Sequence, residues 1–158
     1  MIALDSRQIL DYLPHRDPMV MLDGVEMTVE PPVPLKGEEC MVVYATLLVK
    51  ETNWFFADGV LTESGLMEHM AQSVCVCIGL RANNEQHRAQ IGYLAEVKNM
   101  TINRLPMAGE QLRTRVEVVA LVDEAIVVSA ETQVNTETIA KGMLTIFVPP
   151  VEEERRAQ

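Results

Sequence analysis

One long apolar segment, residues 64–81, constrains the fold of this 158-residue chain more than any other feature. Its apolar and small residues recur at helical spacing and extend around most of the helix circumference. They are Leu66, Met67, Met70, Ala71, Val74, Cys75 and Ile78. Thr62 or Ser64 can cap the start of the helix, and Glu63 suits the positive end of the helix dipole. A helix that is apolar on most sides is predicted to be buried rather than to lie on the surface.

The rest of the chain is predominantly strand-like, with apolar residues that tend to alternate and turns between the segments. The predicted strands are Met19 to Glu30, Glu39 to Lys50, Ile91 to Ile102, Gln111 to Leu121, Ala125 to Val134 and Thr138 to Val148. Short turns join the last three strands into an antiparallel meander. The pattern predicts an α+β fold in which a curved antiparallel sheet wraps a long central helix. An outer sheet face left uncovered would favour pairing with a second copy.

The segments between these elements set the domain organisation. Asp5 to Leu13 predicts a short helix, because Asp5 and Gln8 have capping-box spacing. Residues 31–37 are rich in proline and predict a connector, and residues 82–90 are polar and predicted to be mobile. We therefore expect one domain over residues 1–148, followed by a charged tail, residues 149–158, that is predicted to be disordered.

The formal net charge of −10 argues against binding to nucleic acid or to anionic membrane surfaces. No window approaches the roughly 18 apolar residues of a membrane span, and residues 1–13 do not resemble a signal peptide. We therefore expect no membrane insertion and a cytoplasmic location. The ten methionines would suit a groove for flexible aliphatic chains, although a core with flexible fillers is the more ordinary explanation.

Cysteine and histidine positions predict neither a metal site nor a cofactor. Cys75 and Cys77 point roughly 200° apart on a helix, so they cannot bind one metal ion together. No set of cysteines and histidines has the spacing of a zinc site. We interpret Cys40, Cys75 and Cys77 as small buried apolar residues in a reducing compartment.

Glu68 is a carboxylate inside this apolar helix. Charged side chains are rarely buried unless they are paired or have a chemical role. Gln72, one turn later, can donate a hydrogen bond to Glu68 and set its orientation. The residues alone leave two interpretations open, a working acid/base group and a hydrogen-bonded relic of an ancestral enzyme.

Several motifs resemble the FabZ-type β-hydroxyacyl-acyl-carrier-protein dehydratases. Residues 13–23, LPHRDPMVMLD, resemble the opening of that family, and residues 68–72, EHMAQ, resemble its helix motif. Residues 91–95 with Val97-Lys98 resemble its next strand, and residues 105–110, LPMAGE, resemble its turn. The resemblance extends from about Leu10 to Val148 and implies the hotdog fold. Through residues 53–72 the chain also resembles an offshoot found in gene clusters for aryl-polyene-type and flexirubin-type lipids.

The resemblance implies removal of water from a 3-hydroxyacyl thioester carried by acyl carrier protein or by coenzyme A. Glu68 corresponds to the family's helix carboxylate, which implies an acid/base role. The positions implied to contact substrate are Asn53, Trp54, Phe56, Gly65 and Gln72. The family's second acid/base group is a histidine, and its position falls on Trp54.

Other residues are weaker candidates for the second acid/base group. His15 matches a family position that we interpret as a structural turn histidine, and His87 lies in a polar segment. His69 projects about 100° away from Glu68 around the helix. Asp58 and Glu63 can each bring a second carboxylate, but we favour roles in a loop and at the helix start.

Our leading hypothesis is a FabZ-like dehydratase of fatty-acid or polyene-type lipid biosynthesis that forms a homodimer or a larger homo-oligomer. The first alternative is a non-catalytic acyl-binding subunit that pairs with an active dehydratase. The second is a hotdog acyl thioesterase, in which Glu68 activates water. Docking of an acidic carrier protein would need a local basic patch. Candidates for that patch are Arg81, Arg88, Lys98, Arg104, Arg113 and Arg115.

Overall fold

The computed structural model describes residues 2–30, 40–81 and 92–149. Within these ranges the chain forms an α-helix, a seven-stranded sheet and a two-stranded hairpin. The strands are β1 (Ile2–Leu4), β2 (Gly24–Glu30), β3 (Cys40–Leu48), β4 (Phe56–Ala57), β5 (Val60–Leu61), β6 (Tyr93–Ile102), β7 (Gln111–Val122), β8 (Ala125–Val134) and β9 (Glu137–Phe147). The helix α1 spans Glu63–Arg81, and a 3₁₀ helix spans Gln8–Asp11.

The large sheet has the order β1-β2-β3-β7-β8-β9-β6, and every neighbouring pair is antiparallel. The predicted meander is confirmed as β7, β8 and β9. Its two turns contain Asp123 and Asn135 at positive φ, which Asp and Asn tolerate better than most residues. Two expectations were wrong. The described residues form a sheet of seven strands rather than the five or six expected, and residues 19–23 form a loop instead of the start of β2.

Helix α1 packs on one face of the sheet, against β3, β7 and β8. Along β8 the buried residues alternate with partly buried ones, so one face of the strand points toward the helix. Most of α1 is buried, as its apolar circumference predicts. Thr62 Oγ1 accepts a hydrogen bond from the N–H of Gly65 at 3.3 Å, in agreement with the predicted cap. The predicted α+β arrangement of one central helix against an antiparallel sheet is therefore confirmed.

Two segments before α1 pack against it. The β4–β5 hairpin lies against the first turn so closely that a Cβ atom on Gly65 would be 2.5 Å from Cβ of Phe55. The earlier segment begins with the 3₁₀ helix, where Asp5 and Gln8 form the predicted capping box with backbone hydrogen bonds of 2.8–3.0 Å. The chain then runs along α1 through residues 13–21. Both segments therefore reach the N-terminal half of the helix from different parts of the sequence.

Some predictions lie outside the described residues: the connector at 31–37, the polar segment 82–90, and the tail from residue 150 onward. Among the described residues, no helix combines the length and apolarity that crossing a membrane requires. No group of three or more His, Cys, Asp or Glu side chains that could hold a metal ion occurs in that part of the chain.

Candidate functional site

A cavity of about 210 Å³ lies between α1, the loop at residues 14–15, the start of β6 and the end of β9. Its walls are Pro14, His15, Glu68, Ala71, Gln72, Cys75, Ile78, Gly92, Leu94 and Ile146. Half of these residues share one face of the helix, which runs about 15 Å from Glu68 to Ile78. Glu68, His15 and Gln72 form one polar group of wall residues, while Ile78, Leu94 and Ile146 provide apolar walls. Such a cavity is suited to a ligand with a polar group attached to a short apolar chain.

Gln72 fixes the position of Glu68 through one carboxamide. Its Oε1 accepts the buried N–H of Met21 at 2.8 Å, so its Nε2 is the atom that donates. That nitrogen donates to Glu68 Oε1 and to the carbonyl of Met19, both at 2.7 Å. The predicted hydrogen bond between Gln72 and Glu68 is confirmed. The same side chain also ties the loop at residues 19–21 to the helix.

Glu68 is not as buried as the apolar helix predicts, because 26% of its side chain is exposed at the cavity. His15 Nε2 lies 3.3 Å from Glu68 Oε1, and 31% of the His15 side chain is exposed. His15, which we interpreted as a structural turn histidine, therefore lies beside Glu68 in the same cavity. The chain around His15 has local hydrogen bonds: the Arg16 guanidinium donates to the carbonyls of Leu13 and His15 at 2.8 and 2.7 Å.

The two ring nitrogens of His15 have different surroundings. Nε2 faces Glu68, whereas Nδ1 is buried without a hydrogen-bond partner among the described residues. Buried polar atoms in proteins almost always have partners, so an unpaired ring nitrogen calls for an explanation at this position.

His69 has a structural role, consistent with its predicted direction away from Glu68. Its Nδ1 is 2.8 Å from the carbonyl of Met21, which can only accept, so Nδ1 carries the proton. Its Nε2 is 2.8 Å from Thr114 Oγ1, which in turn is 2.7 Å from Thr132 Oγ1. Burial lowers the pKa of His69 to about 4, which keeps the imidazole neutral at physiological pH. His69 therefore links the helix, the loop and two strands.

Cys75 is an apolar part of the cavity wall rather than a nucleophile. Burial, with a smaller contribution from the charge of Glu68, raises the pKa of its thiol to about 11. The thiolate is the reactive form of cysteine, and it is scarce at neutral pH when the pKa is this high. Neither Cys75 nor Cys77 forms a disulfide within the described part of the chain, and Cys77 is fully buried.

Four of the residues implied to contact substrate do not line this cavity. Trp54 is 65% exposed, and Phe56 in β4 packs against the hydrophobic core. Asn53 Oδ1 accepts the N–H of Lys50 at 2.7 Å and closes a local turn. Gly65 is buried where the hairpin packs on the helix. Their contact with substrate stays a prediction, and Gln72 is the member of that set that the structure places beside Glu68.

Several of the basic residues predicted for carrier docking have partners within the chain. Arg104 pairs with Glu110 and Glu137, and Lys98 with Glu96, at 2.9–3.0 Å. The Arg113 guanidinium stacks 3.6 Å from the ring centroid of Tyr44. Arg88 lies outside the described residues. Arg104, Lys98 and Arg113 therefore each have a partner within the chain.

The sequence analysis missed one polar member of the site, His15, although it stands within one of the motifs. The helix members Ala71, Cys75 and Ile78 follow from Glu68 by helical spacing and could have been predicted. The members from the sheet, Gly92, Leu94 and Ile146, depend on how the ends of β6 and β9 meet the helix, which spacing in the sequence does not reveal.

Comparison with known proteins identifies relatives over nearly the whole chain. Residues 7–157 match the model of the ApeP-like family, described as ApeP dehydratase. The 3-hydroxyacyl-[acyl-carrier-protein] dehydratase FabZ of Bacillus pumilus is 27% identical over 150 residues, which covers 93% of this chain and 97% of that protein. FabZ of Clostridium tetani is 25% identical and covers 90% of this chain and 95% of that protein.

Solved structures show the same fold. The dehydratase heterocomplex ApeI:P from Xenorhabdus doucetiae matches with a TM-score of 0.74 and 20% identity, covering 90% of this chain and 91% of that one. The Lactococcus lactis protein yhdA, provisionally described as a thioesterase, matches with a TM-score of 0.63 and 9% identity, covering 85% of this chain and 97% of that one. At these identities the likeness establishes the hotdog fold and nothing further about chemistry.

Proposed function

The chain belongs to the ApeP-like dehydratase family, and from that premise we propose that it removes water from a 3-hydroxyacyl thioester to form an enoyl thioester. The observation that carries this proposal is the place of Glu68 in the cavity wall. A half-buried carboxylate there, held in one orientation by Gln72, shares the cavity with the apolar side chains of Ile78, Leu94 and Ile146. The reaction needs an ionisable group beside the first carbons of the acyl chain and an apolar surface for the remainder.

Dehydration requires one group to take the proton at C2 and another to give a proton to the hydroxyl that leaves C3. A positioned acid or base of this kind contributes about 10²- to 10⁴-fold to the rate. Glu68 can take part in such a transfer because it is partly exposed to the cavity and fixed at Oε1.

The test uses the purified full chain with 3-hydroxyacyl and enoyl thioesters, each attached to acyl carrier protein and to coenzyme A. Mass spectrometry follows the loss or gain of one water. We expect turnover that falls by about 10²- to 10⁴-fold in Glu68→Gln, which keeps the shape but not the acid/base chemistry. The matched control is Glu63→Gln, an exposed glutamate in the first turn of the same helix. Release of free acid instead would favour the thioesterase alternative, and no turnover in any mixture would contradict the proposal.

A second candidate function, an acyl-binding subunit of a hetero-oligomeric dehydratase, is favoured by Trp54. This exposed tryptophan stands where FabZ-type enzymes carry their histidine, and a solved relative belongs to a dehydratase heterocomplex. Strand β6, at one edge of the sheet formed by the described strands, exposes Tyr93, Leu94 and Val97. An apolar edge strand is an available surface for pairing with another chain.

Assembly separates the two candidates. Activity of the purified chain alone favours an enzyme that needs no other dehydratase, and a mass of two or more copies of the chain identifies it as a homo-oligomer. Turnover that requires addition of a second dehydratase from the same gene cluster, together with a stable mixed complex in size-exclusion chromatography, favours the subunit role. Acyl carrier protein is the proposed carrier of the substrate, and the cytoplasmic location stays a prediction from the sequence.

A further inference from the structure

We propose that His15 is the second acid/base group of this site, so that one chain carries a complete pair with Glu68 as the base and His15 as the acid. The inference rests on the proposed dehydration and adds the identity and the role of its second group. It removes the need for a histidine at the position of Trp54.

The first support is geometric. His15 Nε2 and Glu68 Oε1 are 3.3 Å apart, and both residues line the same cavity. In dehydration, C2 of the substrate loses a proton and the hydroxyl oxygen on the adjacent carbon, C3, gains one. Two groups at this separation can reach both positions from the same side of the acyl chain, within the heavy-atom distances that proton transfer needs.

The second support is that the loop carrying His15 has hydrogen bonds of its own and is tied to α1. Within the loop, Arg16 donates to the carbonyls of Leu13 and His15 at 2.8 and 2.7 Å. Further along, the backbone of Met21 is held twice by the helix, its N–H by Gln72 and its carbonyl by His69, both at 2.8 Å. Because these backbone contacts order the loop, the His15 side chain is positioned before substrate binds. Less conformational entropy is then lost in reaching the reactive arrangement.

The third support assigns the roles. The N–H of Met21 fixes the carboxamide of Gln72, so that Gln72 presents an N–H to Glu68. Oε1 of Glu68 therefore accepts a hydrogen bond from Gln72. Nε2 of His15 lies 3.3 Å from the same oxygen and faces it as a second donor. An acceptor beside the substrate takes a proton and the donor gives one, which makes Glu68 the base and His15 the acid.

The proton balance closes within the pair. The Glu68 carboxylate takes the C2 proton while the imidazolium of His15 gives its Nε2 proton to the C3 hydroxyl. The electrons of the C2–H bond form the C2–C3 double bond, and the C3–O bond breaks to release water. Glu68 then holds the proton that His15 lacks, and transfer from the carboxyl to Nε2 restores both groups without another reactant.

Nδ1 of His15 keeps its proton throughout this cycle. The mobile proton moves between Nε2 and Oε1, so the ring alternates between the imidazolium and the neutral imidazole that is protonated on Nδ1. A histidine with a purely structural role, such as His69, uses both ring nitrogens in hydrogen bonds. His15 instead has one nitrogen on the carboxylate and the other without a partner in the described part of the chain.

The test separates the acid from the base with two reactions. Dehydration of a 3-hydroxyacyl thioester needs both groups, whereas exchange of the C2 hydrogens of a saturated acyl thioester with deuterated water needs only the base. We expect His15→Gln to lower dehydration by about 10²- to 10⁴-fold and to retain exchange, and Glu68→Gln to lose both. Added imidazole is expected to restore part of the dehydration activity of His15→Ala. The control is Asp11→Asn, an exposed residue of the 3₁₀ helix, which should behave like wild type.

Each result bears on the inference. Full dehydration activity in both His15 variants would overturn the pair, while wild-type turnover would leave the proposed function standing. Exchange that is absent from His15→Gln, or present in Glu68→Gln, would overturn the assignment of Glu68 as the base. A wild type that dehydrates nothing, alone or with a second dehydratase, would contradict the proposed function itself and the pair with it. Circular dichroism of each variant verifies that the fold is intact.

Discussion

The segments at residues 13–23 and 53–61 both pack against the N-terminal half of α1, but they present different chemistry to it. The first places His15 beside Glu68 and connects its backbone to Gln72 and His69. The second packs apolar atoms of Phe55 and Leu61 on the first helical turn and leaves Trp54 in solvent. One segment therefore supplies polar groups to the cavity, and the other supplies packing.

This difference shows how a fold can keep a carboxylate while changing its surroundings. The resemblance to FabZ-type enzymes implies a histidine in the second segment, at the position of Trp54. Here a histidine of the first segment, His15, contacts the carboxylate of Glu68. Since the same helix faces both segments, a change of partner requires no change in the sheet or in the position of Glu68.

The largest effect on stability is expected at the connection between the first segment and the helix. Gln72→Leu leaves the N–H of Met21 and the carbonyl of Met19 without their partners. We expect the free energy of unfolding to fall by about 2–5 kcal/mol, since each unsatisfied buried group costs roughly 1–3 kcal/mol. Urea unfolding of the variant and the wild type measures this change in the free energy of unfolding. Gln133→Leu is the control, because the carboxamide of Gln133 donates to the side chains of Glu131 and Thr138 rather than to backbone groups. An equal loss there would contradict the special role of Gln72.

The second effect is a pH dependence contributed by His69. Its pKa is about 4 in the folded chain against 6.5 for an ordinary histidine, so the unfolded chain takes up a proton first as the pH falls. The contribution of His69 to stability is complete above pH 6.5 and decreases from there to about pH 4, by up to roughly 3 kcal/mol. The midpoints of urea unfolding, determined between pH 7 and pH 4, measure this pH dependence of stability. His69→Gln should show a shallower dependence, and an unchanged slope would exclude His69 as its source.

The third effect tests how tightly the second segment packs. Gly65→Ala places a Cβ atom 2.5 Å from Phe55 Cβ and 2.7 Å from Leu61 Cδ1. We expect a loss of about 1–3 kcal/mol in unfolding free energy, as for other overpacked cores. Gly79→Ala on the same helix is the comparison, because its Cβ would meet Tyr12 Cδ1 at 3.0 Å and a ring can shift. Thermal unfolding ranks the two, and a smaller loss for Gly65→Ala would show that the hairpin yields easily.

The smallest effect is expected at Trp54. Because its side chain is mostly in solvent and not in the cavity, Trp54→Ala should change the free energy of unfolding by no more than about 0.5 kcal/mol. If His15 completes the pair, Trp54→His should not raise the rate of dehydration. A large gain in the rate of dehydration in Trp54→His would mean that residues 53–61, rather than residues 13–23, supply the acid/base partner of Glu68.

Much of the fold could be predicted from patterns that local physics controls. The boundaries of α1 and β8 follow from helical spacing, a threonine cap and turn residues, and the meander follows from short turns between alternating segments. The width of the sheet could not be predicted, since β1 has three residues and depends on pairing with β2. The hydrogen bond between Glu68 and Gln72 was predictable because residues four apart in a helix are neighbours.

The sequence by itself determined that Glu68 stands in a long apolar helix, that Gln72 can reach it, and that strands surround them. Periodicity and spacing are local properties, so they carry this information without the fold. Only the tertiary structure decided that His15, fifty-three positions before Glu68, lies 3.3 Å from its carboxylate and that Trp54 faces solvent. Those facts depend on how two loops fold back onto one helix, where packing and backbone hydrogen bonds, rather than sequence separation, set the distances.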